Sequence, residues 1–354
     1  MTPIGHHRGL FRVGVEEELL LVDPATNALS HSSTRVLRAL GDTSSDIKHD
    51  LYEAQIEIAS PPCETVADAI RSLRAHRREV ANAGGVLLGA GVHPSAAFGD
   101  VKIVDKERYM RELPNLRGIV QRTPDCALHV HVGVPDNDCA IKIYNALREY
   151  LPLLVGLAGN SAYWHGVDSG FACTRMVLRR AYPRTEVPPS FRDWEDYEET
   201  VARVLEAGQV PDYTFLWWDV RPHPKLGTVE TRVMDAQASL RDVEALSTLV
   251  HGIACNAAEH GPPEPSAREA LAESAFRATR DGVKATVWSD GRLRALGELA
   301  SEAVDRARPY VGDGVDDVMR IVREGNGADR QRAAFEVGGM AEVLAELVAE
   351  TAAG

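Results

Sequence analysis

Four short segments of this chain alternate acidic or histidine residues with aliphatic ones. In Val13-Gly14-Val15-Glu16-Glu17-Glu18-Leu19-Leu20-Leu21, an extended backbone puts Glu16 and Glu18 on one face and Val13, Val15, Leu19 and Leu21 on the other. Glu17 falls on the apolar parity. The second segment sets Glu53, Gln55 and Glu57 against Ala54, Ile56 and Ile58; the third sets His129, His131 and Gly133 against Leu128, Val130, Val132 and Val134. In the fourth, Glu230 and Arg232 alternate with Val229 and Val233. One such strand is the ordinary solvated side of an antiparallel sheet. Four of them gather Glu16, Glu18, Glu53, Glu57, His129, His131 and Glu230 with Arg232 as the one cation in the set. Like charges stacked in this way repel unless cations sit among them, so the set predicts a divalent metal site. Carboxylate oxygens with an imidazole suit Mg²⁺ or Mn²⁺, and no cysteine stands among them to suggest structural zinc.

The elements that must position these residues follow from periodicity. Residues 64–83 carry Val66, Ala69, Ile70, Leu73 and Val80 on one helical stripe and stop at Gly84-Gly85, a helix C-terminal signal. Arg74, His76, Arg77 and Arg78 on that helix read as a solvated face. Residues 86–92 suggest a further short strand, and Asp136 or Asp138 caps a predicted helix running to Gly159-Asn160. Proline marks 182–194 as a loop, a helix follows from about 194 to 207, and Trp217-Trp218 reads as core or cleft-wall packing. From about residue 239 the pattern is mostly helical. Gly261-Pro262-Pro263-Glu264-Pro265 is too short a linker to demand independent domains. The expected fold is therefore a single α+β domain over residues 1–354: a mainly antiparallel sheet with a polar catalytic face, and helices packed on the other face.

Composition sets limits on partners. The formal net charge of -13 disfavours nucleic acid and anionic membrane, so an anionic substrate must be met locally by metal or arginine. The five cysteines form no Cys-x-x-Cys pair, which fits reduced thiols in the cytoplasm; Cys63, after Pro61-Pro62, reads as buried rather than reactive. Residues 1–10 have no apolar leader core, and no stretch approaches the roughly 20 apolar residues of a membrane span. The phosphate-loop, nucleophile-elbow and His-Glu-x-x-His signatures are absent, and Gly89-Ala90-Gly91 lacks the third glycine of a dinucleotide fingerprint. A nucleotide would have to be held through metal and arginine.

An ordered set of motifs carries a resemblance. Gly14-Val15-Glu16-Glu17-Glu18, Glu53-Ala54-Gln55-Ile56-Glu57 followed by Cys63, Leu128-His129-Val130-His131-Val132-Gly133, Asp168-Ser169-Gly170 with Arg175, Trp217-Trp218-Asp219-Val220-Arg221-Pro222, Gly227-Thr228-Val229-Glu230-Thr231-Arg232 and the C-terminal Gly325-Asn326-Gly327-Ala328-Asp329-Arg330 resemble the carboxylate-amine ligases, the second glutamate-cysteine ligase family. Cys173 departs from the small hydroxyl residue expected ahead of Arg175. The resemblance implies a fold related to glutamine synthetase and the guanidino kinases, and an ATP-dependent ligase that forms an amide through an acyl phosphate. It further implies that Glu16, Glu18, Glu53, Glu57, His129 and Glu230 hold Mg²⁺ or Mn²⁺. Arg232 then meets the transferring phosphate, Arg175 and Arg221 are further contacts for ATP, and Arg232 with Glu57 carries the catalysis. His131 is open to two roles, second ligand or hydrogen-bonded structural histidine, and Arg221 to substrate contact or a surface ion pair.

The residues fit that chemistry on their own terms. Activating a carboxylate with ATP brings two anions together, so cations rather than a side-chain nucleophile do the work. The resemblance implies as substrates an amino-acid carboxylate, the γ-carboxyl of glutamate, and an amine such as cysteine; assembly as a homo-oligomer is left open. Two other classes remain: a metal-dependent amide hydrolase using the same carboxylates, and a non-catalytic metal- or nucleotide-binding module.

Overall fold

The longest alternating run becomes strand β1 (Val13–Leu21), which lies at the centre of the main sheet. The computed structural model describes residues 11–41 and 46–354, so the leader reading of residues 1–10 falls outside the described residues. After β1 come helix α1 (Ser33–Leu40), strands β2 (Ile47–His49) and β3 (Gln55–Ala59), α2 (Val66–Asn82), β4 (Leu87–Leu88), α3 (Glu107–Leu116), β5 (Ala127–Gly133), α4 (Asn137–Glu149) and α5 (Leu151–Ala158). The small hairpin β6 (Tyr163–Trp164) and β7 (Val167–Asp168) leads to α6 (Thr174–Arg179), α7 (Trp194–Gly208), β8 (Val220–His223) and β9 (Thr228–Asp235). The remainder is α8 (Leu240–His260), α9 (Arg268–Asp281), a hairpin β10 (Thr286–Ser289) and β11 (Arg292–Ala295), then α10 (Leu296–Val311), α11 (Asp317–Glu324) and α12 (Gly327–Ala353).

The sheet order is β2-β3-β1-β5-β9-β8, with β4 beside the end of β1, and every pairing is antiparallel. The α+β expectation therefore holds. The aliphatic parity of the strands (Val13, Val15, Leu19, Ile56, Ile58, Leu128, Val130, Val132, Val229) is wholly buried. Helices α2, α4 and α8 pack on that side, and each such side chain contributes about 1.5–3 kcal/mol of burial.

Local signals placed several ends correctly. Thr65 caps α2 by accepting from the Asp68 amide, and Gly84 takes a positive φ just beyond it. Asp136 caps α4 through the Cys139 amide, but the predicted long helix divides at Tyr150, just before Pro152, into α4 and α5. The expected strand at 86–92 shrinks to β4. Its neighbouring glycines serve packing: a Cβ on Gly89 would stand 2.3 Å from the Gln237 carbonyl oxygen, and one on Gly91 2.4 Å from the Asp235 carboxyl carbon. The helical C-terminal part is interrupted by the β10–β11 hairpin, which the sequence pattern did not reveal.

Arg77 corrects the solvated-face reading. It is 3% exposed, pairs bidentately with Glu17 on the helix-covered side of β1, and donates to the carbonyls of Ala238 (2.7 Å), Gln237 (3.0 Å) and Thr351 (3.2 Å). Glu17, the acidic residue on the apolar parity, thereby joins α2 to the start of α8 and the end of α12. Cys63 is half-buried, with its thiol on the Pro61 carbonyl.

Candidate active site

Cross-strand register brings the polar parity into one cavity of about 330 Å³. Glu16 on β1 stands opposite His129 on β5, His131 opposite Glu230 on β9, and Arg221 on β8 opposite the other side of Glu230. Toward the other edge, Glu18 faces Glu57 on β3, and Glu57 faces Lys48 on β2. A β-bulge sets Arg232 and Val233 together against His129, because Leu128 pairs with Met234 while Val130 pairs with Thr231. Bulges re-aim side chains. Here Arg232 lines the same cavity as Glu230 and forms an ion pair with its Oε1.

The register explains the charge states. Burial opposes ionisation of Glu16, but His131 and His129, at 3.6 and 3.5 Å from its oxygens, hold its pKa well below the ordinary carboxylate range. Burial likewise opposes Glu230, and Arg221 (Nε to Oε2, 2.7 Å) with Arg232 holds it ionised. Glu18 and Glu57 differ, because burial and nearby acids outweigh the cations around them. Burial and Asp50 push Glu18 well above its usual value. Burial and Glu16 raise Glu57 to about 7 against the opposing pull of Lys48 at 2.8 Å. His129 is driven down to about 3 by burial and by Arg232, so its imidazole is neutral at pH 7. His131 goes the other way: burial disfavours its charge, and Glu16 and Glu230 more than restore it. Its Nδ1 meets Thr228 Oγ1 at 3.0 Å.

Metal-donor atoms of Glu16, His129 and Glu230 all lie within 4.8 Å of one another. The His129 and His131 Nε2 atoms are buried with no hydrogen-bond partner among the described residues. A neutral imidazole between two ionised carboxylates, with polar atoms left orphaned, fits a hard divalent cation. The carboxylates of Glu18 and Glu57 line the same cavity.

One predicted ligand is elsewhere. The Glu53 carboxylate accepts from Ser33 Oγ (3.1 Å), the Thr34 amide (3.1 Å) and Thr34 Oγ1 (2.8 Å), and so anchors the first turn of α1. The physical reason is a turn before Gln55, where β3 begins; strand parity does not extend back to residue 53. Arg221 is not a surface ion pair. Besides Glu230 it donates to the carbonyls of Thr214 and Leu216, both at 3.0 Å, which makes it a buried strut for Glu230. Arg175 lies 3.7 Å from Asp125 and 3.9 Å from Asp235, with the Cys173 thiol donating to the same Asp235 carboxylate at 2.9 Å. Trp217 lines the cavity wall and Trp218 is core.

Sequence reasoning missed several lining residues: Lys48, Asp50, Tyr52, Asp125, Arg179, Tyr182 and His223. For Arg179 a signal existed, since it follows Arg175 by four residues on one helix face. For Asp50, Tyr52, Asp125 and Tyr182, which come from loops, none did.

The cavity is thus lined by a carboxylate–imidazole cluster together with the guanidinium groups of Arg175, Arg179, Arg221 and Arg232, of which Arg221 and Arg232 pair with Glu230. The glutamate-cysteine ligase family 2 model matches residues 12–350. A Rubrobacter xylanophilus protein named "Putative glutamate--cysteine ligase 2-1" is 37% identical over 96% of this chain and 95% of its own length. The glutamate-cysteine ligase of Haloquadratum walsbyi is 34% identical over 90% of each. Among solved structures, the Francisella tularensis glutamate-cysteine ligase in complex with AMP superposes with a TM-score of 0.74 at 14% identity, covering 99% of this chain and 91% of that one. A bifunctional glutathione synthetase from Pasteurella multocida gives 0.68, at 14% identity, over 97% of this chain and 52% of that one. These two share the fold, and the sequence matches decide the lineage: the chain belongs to glutamate-cysteine ligase family 2.

Proposed function

We propose that the chain is an ATP-dependent ligase that joins an amino-acid carboxylate, the γ-carboxyl of glutamate in the simplest case, to an amine such as that of cysteine, releasing ADP and phosphate. The observation that carries this reading is the gathering, in one cavity, of a carboxylate–imidazole cluster and a set of arginines. A hydrolase needs only the first. Family membership supports the same choice, and the amide-hydrolase alternative has no use for four guanidiniums lining the cavity, three of them buried.

In this reading Glu16, His129 and Glu230 would hold a divalent cation, with Glu18 and Glu57 of the same cavity as further ligands. When bound, the cation neutralises phosphate charge. The chain's own residues do the rest. Arg232, aimed by the bulge, takes an oxygen of the γ-phosphate as the phosphoryl group passes to the substrate carboxylate, leaving ADP and an acyl phosphate. The amine nitrogen then bonds to the acyl carbon, the carbon–oxygen bond to phosphate breaks, and the amine gives up its proton. Arg221 keeps Glu230 ionised and oriented throughout. The helix-covered far side of the sheet leaves the cavity as a one-sided cleft, suited to small amino-acid and amine substrates.

The test is direct. Purified protein is incubated with ATP, Mg²⁺, glutamate and cysteine, then with a pool of amino acids and amines, and ADP and new amides are measured by mass spectrometry. ADP formed together with an amide supports the ligase. Amide cleavage that ignores ATP would transfer the site to the hydrolase class.

A further inference from the structure

Arg179 is a buried guanidinium with no acidic partner within ion-pair distance among the described residues. It is 5% exposed and lines the cavity, yet its hydrogen bonds go to main-chain carbonyls, Nη2 to Trp217 at 2.8 Å and Nη1 to Arg232 at 3.4 Å. Its Nε is buried with no partner among the described residues. Two nearby carboxylates are otherwise engaged: Asp219 is held bidentately by Arg180 at 3.1 and 2.6 Å, and Asp125 lies 3.7 Å from Arg175. Burial, with Arg175 and Arg232 close by, pulls the Arg179 pKa down to about 9, which still leaves it charged at neutral pH. A desolvated cation flanked by cations is costly in the free protein and is relieved by an anion.

We propose that Arg179 seats an oxyanion of the substrate, a phosphate of the nucleotide or a carboxylate of the amino acid. Both present the planar or tripodal oxygens that a guanidinium fork matches. The assignment rests on the ligase reading and adds to it a binding residue that no motif carries. Arg179 differs in this from Arg221, whose charge is already answered inside the protein by Glu230. An arginine held ready by carbonyls and left without an acid is preorganised for a ligand, while one on a carboxylate is a strut.

The experiment measures equilibrium binding of ADP with Mg²⁺, inorganic phosphate, and L-glutamate by calorimetry, for the parent protein, Arg179→Gln and Arg179→Lys, alongside the melting temperature of each without ligand. Arg179→Gln is expected to weaken one class of anion ten- to hundredfold while the other stays within twofold. Loss confined to ADP and phosphate assigns the phosphate; loss confined to glutamate assigns the carboxylate. Arg179→Lys, which keeps charge but not the fork, should show the same selectivity with a smaller loss, and it replaces the glutamine variant if that one does not fold. The ligand-free melting temperature of Arg179→Gln should hold or rise, since an unanswered buried charge is removed. Unchanged binding of all three probes overturns the assignment, as does equal weakening of all three with a fall in melting temperature, the mark of a structural role. If the parent binds none of the probes, the ligase reading falls with it.

Discussion

Strand β1 carries three consecutive glutamates whose fates differ by the face they occupy. Glu17 points into the helix-covered side, where both its oxygens meet Arg77 and that guanidinium is further satisfied by three carbonyls. Glu16 and Glu18 point into the cavity, where His129 Nε2 and His131 Nε2 have no hydrogen-bond partner among the described residues and Glu18 stands opposite Glu57. The buried charge on one side is closed; on the other it is open to a cation. A closed pair supports the fold and an open cluster supports chemistry, because only the latter has interactions left to make with a ligand.

Substitution on the two faces should separate these roles. The largest effect is expected on the closed side: Glu17→Gln leaves Arg77 unanswered in the core and should cost about 3–5 kcal/mol of stability, measured by denaturant unfolding, with turnover per folded molecule little changed. A large loss of kcat in the folded fraction would erase the contrast. On the open side, Glu16→Gln should lower ATP-dependent turnover at least a hundredfold, about 2.7 kcal/mol, and weaken Mg²⁺ binding in calorimetry while circular dichroism is retained. Full activity in this variant removes Glu16 from the metal set.

A smaller effect sharpens the comparison at Arg232, whose guanidinium serves both Glu230 and, in our reading, the phosphate. Arg232→Lys should reduce kcat more than tenfold, with a lesser change in KM for ATP, since the contact strengthens in the transition state. If stability alone falls, Arg232 acts only on Glu230, and the phosphate is met by Arg175 or Arg179.

The smallest effect concerns pH. The Glu57 pKa is raised to about 7 in the folded protein, above its unfolded value, so this group's contribution to stability is complete below the unfolded pKa and is lost as pH rises through about 7. Glu57→Gln should therefore be as stable as the parent near pH 4 and more stable near pH 8.5, by on the order of 1 kcal/mol once the lost Lys48 pair is counted. Scanning calorimetry of the metal-free protein at the two pH values measures this, and a variant less stable than the parent at pH 8.5 would show that Lys48 already neutralises the pair.

Much of this was legible beforehand because strand parity is a local property. Two residues suffice to say that Glu16 and Glu18 share a face, and His129 with His131, and the structure places all four in one cavity. Where parity was extended beyond a strand end it failed: Glu53 precedes β3 by a turn and serves α1 instead. The Arg77 reading failed for another reason. A cation on an amphipathic helix resembles its exposed neighbours, and its burial depends on Glu17 and on carbonyls 160, 161 and 274 residues away.

What the sequence by itself determined is the period-two pattern, the helix stop at Gly84-Gly85, a cap at Asp136 or Asp138, the mainly antiparallel α+β class and the family lineage, since each rests on neighbouring residues or on ordered motifs. The tertiary structure alone decided which carboxylates meet. Register set Glu18 against Glu57 and Lys48, the β9 bulge turned Arg232 onto Glu230, and loops delivered Asp50, Asp125 and Tyr182. The reason is physical: side-chain direction is encoded within one strand, whereas the pairing energy of charges depends on distances across strands and on exclusion of water, and these exist only once the sheet has closed over its core.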